Sequence, residues 1–187
     1  MWRAASPCRW LVFLGVLVTG TVAGEAGDTL WLRVDSQART LSVMQGDDVL
    51  QVYANISLGR GGTTSTKRQG DERTPLGEYH VSRVSYNSVF HIFIGLDYPT
   101  LSQAERAWKD GQLTKQAYLA IRRAHKRHRE PPQNTPLGGY IGIHGVGKGD
   151  PQIHATVNWT SGCVALTNAQ IEDLDTWVSP GMRVVIR

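Results

Sequence analysis

From Thr29 onward, apolar residues fall on every second position: Leu30, Leu32 and Val34, then Leu41 and Val43 beyond the turn at Asp35-Ser36-Gln37. A period of two sends successive side chains to opposite faces of a strand, so this stretch predicts a hairpin with one buried face. Another strand pair is predicted from Val49 to Ser57 across the turn at Gln45-Gly46-Asp47-Asp48, closed by the glycine-rich Gly59-Arg60-Gly61-Gly62. Lys67 to Val81 is polar, contains Gly70, Pro75 and Gly77, and reads as a loop feeding a new strand.

The period then changes. Between Asp97 and Thr135, Leu101, Ala104, Ala107 and Trp108, then Leu113, Ala117, Tyr118, Ile121 and Ala124, recur at helical intervals. Two helices fit, broken at Gly111, with Thr114 as cap of the second and Pro131-Pro132 stopping any continuation beyond Arg129. Strand character returns from Tyr140 to His144. A short helix is predicted from Asn168 to Trp177, with Asn168 as its cap, and a last strand from Met182 to Ile186 comes after the turn at Ser179-Pro180-Gly181. The chain therefore reads as a mostly β domain over residues 25–187 with a helical insert at about 97–135.

Residues 1–24 depart from this pattern. Arg3 and Arg9 precede an apolar run from Trp10 to Val18, followed by small residues at Thr21-Val22-Ala23-Gly24. That is the three-part layout of a secretory signal peptide, and it predicts export. The run is shorter than the roughly 20 residues of a bilayer span, and no second long apolar stretch is present, so no membrane span is expected beyond the leader. The 20 basic and 16 acidic residues give a net charge of +4, and two of those charges, Arg3 and Arg9, leave with the leader. So mild an excess implies no dedicated nucleic-acid partner. Arg122, Arg123, Lys126, Arg127 and Arg129 nevertheless crowd one stretch with His125 and His128. A solvated helix face is the plainest account of them, and contact with an anionic polymer is the other.

Export changes the meaning of the cysteines. Cys8 lies in the leader, so Cys163 is the only thiol of the mature chain, and exported proteins usually carry even numbers locked in disulfides. It sits in Trp159-Thr160-Ser161-Gly162-Cys163-Val164, nineteen positions after His144 in Ile141-Gly142-Ile143-His144-Gly145. A thiol with a pKa of about 8.5 needs a base or a positive field to act as a nucleophile at neutral pH, and His144 at the end of a strand is a candidate base. Gly145 lets a substrate or backbone approach, and Gly162 permits a tight turn whose amides are candidates for holding an oxyanion. The competing account is a buried structural cysteine and a hydrogen-bonded core histidine. His154, just after Asp150-Pro151, reads as a loop residue at the surface or in contact with substrate. A metal site of His144, His154 and Cys163 matches none of the usual zinc spacings, and the chemistry requires no cofactor.

Lys67 through Tyr79, Gly138 through Gly145 and Trp159 through Asn168 together resemble the L,D-transpeptidase catalytic domain, also called the YkuD domain. The resemblance covers nearly all of the mature chain. It implies a β-sandwich-like fold, an acyl-enzyme on cysteine, peptidoglycan stem peptides as substrate and a place in the periplasm or cell envelope. Carried over by position, it implies Cys163 as nucleophile and His144 as general base. It further implies that the Thr160 carbonyl orients the imidazole and that Gly162 with Cys163 helps form the oxyanion hole; beside these, Ser161, Gly145 and His154 are expected to contact substrate. Two positions depart from the family pattern: Ser161 stands where a second histidine is common, and Ala165 where an arginine is common. The run Gly162-Cys163-Val164-Ala165-Leu166-Thr167-Asn168 looks like a subgroup that includes murein-cutting enzymes.

Three readings stay open on these residues. One is cysteine acyl transfer, either cross-linking or attaching a wall-linked lipoprotein, or hydrolytic as a carboxypeptidase, endopeptidase or amidase. The second is a non-catalytic wall-binding module, in which Cys163→Ala would bind as well as the parent. The third is an envelope thiol sensor that reacts with oxidants but ignores muropeptides. In the enzyme reading, the insert at 97–135 is expected to form a lid or one wall of the groove.

Overall fold

In the computed structural model, which describes residues 1–2 and 29–187, Leu32, Val34, Leu41 and Val43 are fully buried, as their alternation requires. The expected leader, with Cys8, lies outside the described residues. The elements are β1 (Leu30–Asp35), β2 (Thr40–Gln45), β3 (Asp48–Ala54), β4 (Thr63–Thr64), β5 (Thr74–Pro75), β6 (Gly77–Ser88), β7 (His91–Leu96), α1 (Leu101–Lys109), α2 (Lys115–Lys126), β8 (Gly142–Gly145), α3 (Pro151–Thr156), β9 (Val164–Leu166), α4 (Asn168–Asp175) and β10 (Arg183–Ile186).

Eight strands form one mixed sheet in the order β3-β2-β1-β10-β6-β7-β8-β9, and β4 and β5 form a small parallel pair. The first and last strands meet in the middle, where β10 runs parallel to β1 and antiparallel to β6. Just past β3, Ser57 bridges Ala165 of β9, with Ser57 N–H to Ala165 O at 2.9 Å and Ala165 N–H to Ser57 O at 2.8 Å. The two ends of the strand order are thus tied together, so the sheet curls around a core that takes side chains from both halves. The expected sandwich-like layering takes the form of this single curled sheet.

The two predicted helices are present. Thr100 caps α1 in a reciprocal box with Gln103, and Thr114 caps α2. Ala104, Ala107, Tyr118 and Ile121 are buried in the core cluster, and Trp108 stacks on Tyr118 with ring centroids 4.9 Å apart. Arg123, Lys126 and Arg127 are exposed, in keeping with a solvated face. One local expectation is corrected. Thr167, not Asn168, caps α4, because its hydroxyl accepts from Gln170 N. The Asn168 side chain instead clamps Gly147, accepting from its N–H at 2.8 Å and donating to its carbonyl at 2.9 Å. Among the described residues no helix is long and apolar enough to cross a membrane.

Candidate active site

Strand register brings the two motifs together. β8 lies between β7 and β9, with His144 opposite Phe93 on one side and Ala165 on the other. Ile143 pairs with Val164, and both are fully buried toward the core. Side chains alternate, so His144 and Cys163, each one residue away from that pair, emerge on the opposite face. Gly142 keeps this face open. A Cβ there would lie 2.6 Å from both Ile94 O and the Phe93 ring. His144 and Cys163 accordingly line the same cleft, of about 600 Å³.

His144 is only 2 % exposed. Its Nδ1 lies 2.7 Å from Gly145 O, so Nδ1 carries the proton and donates to that carbonyl, leaving Nε2 as the basic atom. Phe90 at 4.3 Å, Phe93 at 6.2 Å and the edge-on Trp159 at 5.7 Å, centroid to centroid, surround the ring. Burial among them disfavours the imidazolium and lowers the pKa from 6.5 to about 4, against the opposing pull of the Gly145 hydrogen bond.

Cys163 keeps partial exposure as a residue, but protein packs closely around its sulfur. Burial pushes the thiol up to about 11, opposed by a Gly142 backbone hydrogen bond and by the positive charge of Lys67. The Sγ–H donates to Tyr140 O at 3.2 Å. Tyr140 is held at φ 55° with its N–H given to Gln133 Oε1, so the end of the insert fixes the carbonyl that holds the thiol. Both shifts oppose a resting thiolate–imidazolium pair. Burial thus favours the neutral form of each group.

The turn before Cys163 differs from its expected wiring. Thr160 N–H donates to Leu58 O at 3.1 Å and Thr160 O accepts from Arg60 N at 2.9 Å, while Gly145 O serves the imidazole. The expectation that the Thr160 carbonyl orients His144 is corrected on that ground. Thr160 acts through its hydroxyl, which donates to Cys163 O at 2.7 Å and accepts from Gly162 N at 3.1 Å. That bond engages the Gly162 amide within the turn. Gly162 sits at φ 135°, and a Cβ there would meet Arg73 O at 2.8 Å and Lys67 Nζ at 3.1 Å.

Ser161 is exposed and lines the cleft, as a substrate contact would. Gly145 does not line it. The backbone of Phe90 and the side chain of Asn168 pack against it instead. His154 is in α3, not a loop, is 2 % exposed, and lies outside the cleft lining, which corrects its reading as a surface or substrate-contacting residue. Its Nδ1 accepts from Trp159 Nε1 at 3.2 Å.

Sequence pattern alone missed Lys67. Its ammonium is buried beneath the turn, bonded to Asp71 Oδ1 at 2.6 Å and Arg73 O at 2.9 Å, with Ser161 O at 3.5 Å. A lysine with an aspartate four positions on is also the signature of an ordinary surface pair, so only the fold distinguishes this one. The insert was misplaced as well. The cleft's other wall comes from the β6–β7 hairpin, through Arg83, Ser85, Asn87, Val89, Phe90 and Phe93, and no residue of α1 or α2 lines it. Among the described residues no group of three or more His, Cys, Asp or Glu side chains is placed to hold a metal ion.

Over residues 29–186 the chain matches the YkuD family, the L,D-transpeptidase catalytic domain, and it belongs to that family. In fold it is similar to the helical cell shape determining protein Pgp2 from Campylobacter jejuni, with a TM-score of 0.58 and 19% identity over 85% of this chain and 47% of that one. It is also similar to Bd1075 from Bdellovibrio bacteriovorus, with a TM-score of 0.53 and 18% identity over 88% and 50% of the two chains. The chain spans about half the length of these structures. No curated protein sequence gives a significant match.

Proposed function

We propose that this protein is an exported cysteine acyltransferase acting on peptidoglycan stem peptides. The observation that carries the reading is the shared strand face on which His144 and Cys163 open into one cleft, within a family defined by its catalytic domain. His144 Nε2 removes the Sγ proton as the sulfur attacks the carbonyl carbon of an amide at the L-centre of diaminopimelate. The Cys163 amide steadies the developing oxyanion. The C–N bond then breaks, His144 returns the proton to the departing amine, and a thioester remains on Cys163. An incoming amine yields a cross-link or a tethered protein, and water yields a hydrolysed stem.

One observation favours the hydrolytic outcome. No residue of α1 or α2 lines the cleft, so the helices do not shield a thioester there from water. The neutral thiol–imidazole pair places activation at the moment of attack, so the free enzyme is a poor general alkylation target.

Intact-mass spectrometry after incubation with disaccharide-tetrapeptide and with protein-linked muropeptides tests this reading. A Cys163-dependent acyl adduct with dimeric products supports transfer, and an adduct with hydrolysed products alone supports cutting. Muropeptide binding that is equal in parent and Cys163→Ala, with no adduct or turnover, would replace the enzyme reading by the wall-binding one.

A further inference from the structure

The cleft is electrically one-sided. Among the described residues that line it there is no aspartate, glutamate or lysine, and Arg83 is the one permanent charge. Arg83 lies on β6 with its guanidinium 5.6 Å from the Phe93 ring centroid, and Phe93 stacks on His144 at 6.2 Å with an interplanar angle of 16°. The cation is therefore one aromatic ring away from the base, no farther than those two separations combined. The family's usual arginine position cannot supply such a charge here. Ala165 is fully buried in β9 and tied to Ser57.

Arg83 is also held in reserve. It pairs with Glu130, just beyond α2, and the two side chains are 40% and 35% exposed. A pair so open to water is weak, and an incoming carboxylate can displace Glu130 from it. A guanidinium presents two parallel N–H donors that fit a carboxylate bidentately, and that of Arg83 already lies over the Phe93 ring.

We propose that Arg83 is the specificity residue of the cleft and binds a free carboxylate of the acyl donor, displacing Glu130. The proposal rests on the acyl-transfer reading for the identity of the donor, but its recognition chemistry can be tested without turnover. A stem tetrapeptide with a free side-chain carboxylate at its third residue is compared with the carboxamide of the same peptide. Isothermal titration on Cys163→Ala and steady-state kinetics on the parent are the two measurements.

The expected result is about tenfold tighter binding of the carboxylate form, lost in Arg83→Gln. In kinetics the loss is confined to KM for the carboxylate peptide, with kcat and the carboxamide unchanged. Arg83→Lys, which keeps charge without the planar fork, recovers part of the preference, and Glu130→Gln tightens the carboxylate peptide by a few-fold. Thermal unfolding of each variant confirms that it is folded. Equal losses for both peptides in Arg83→Gln, or no preference in Cys163→Ala, overturn the proposal. Selective binding without turnover in the parent sinks the enzyme reading alone, whereas failure of either peptide to bind sinks both.

Discussion

The cleft edge, from β7 to β9, and the helical insert, from α1 to α2, solve opposite problems with the same kinds of residue. Both carry histidines and cations. In the insert Arg123, Lys126, Arg127, His128 and Arg129 are exposed, opposite a buried apolar stripe of Ala104, Ala107, Tyr118 and Ile121. At the cleft edge His144 and the Cys163 thiol are closely packed by protein, and burial shifts both toward their neutral forms. Charge density in the sequence pointed to the insert. Desolvation points to the cleft.

The contrast can be broken most sharply at the thiol. Cys163→Ala is expected to abolish the acyl adduct and turnover altogether, read by intact mass and product chromatography, while leaving the unfolding transition in place. Retained turnover would remove the cleft from the chemistry. His144→Gln should lower kcat/KM by about 10²- to 10⁴-fold, the usual contribution of a positioned general base. Rescue of that loss by exogenous imidazole would assign the role to this position.

Titration sharpens the comparison next. Burial holds His144 near 4 in the folded protein against 6.5 ordinarily. Between those values the unfolded chain binds a proton that the folded chain refuses. Stability from this group is therefore complete above 6.5 and drains away as the pH falls toward 4, by about 3 kcal/mol. Urea denaturation across pH 4 to 7 measures it, and a His144→Gln protein should show a flatter profile. Iodoacetamide labelling of Cys163 should be slow at pH 7 and climb toward the thiol's pKa of about 11. Fast labelling at pH 7 would mean a resting thiolate and a different mechanism.

Thr160→Val leaves Gly162 N–H and Cys163 O without their hydroxyl partner and should cost about 1–3 kcal/mol by denaturant midpoint. The smallest effect is expected at the insert. Replacing exposed Arg123, Lys126 and Arg127 together by glutamine should leave kcat/KM on soluble muropeptides within about twofold, because no α2 residue lines the cleft. A larger change would return the insert to the substrate path.

The strands of the N-terminal hairpin, both insert helices and the Cys163–His144 pairing were legible because each rests on local period, capping or a motif. Thr114 caps α2 as its sequence position suggested, since an N-cap hydroxyl needs only the amides of the next turn. Asn168 misled for the same local reason. It is a good cap by type, but Gly147, far away in sequence, took both ends of its amide. His154 looked exposed because Asp150-Pro151 just before it reads as a loop, and only the folding of this segment as α3, packed with Trp159, buries it.

By itself, then, the sequence marked the candidate residues for chemistry and the periodic strands and helices, since hydrophobic period and side-chain type act over a few positions. Tertiary structure alone decided which of them meet. Parallel pairing of β8 with β9 put His144 and Cys163 on one face, the β6–β7 hairpin rather than the insert became the opposite wall, and Lys67 came to lie beneath the turn that carries Cys163. Those outcomes depend on register and on exclusion of water, and both are properties of segments distant in the chain that are folded together.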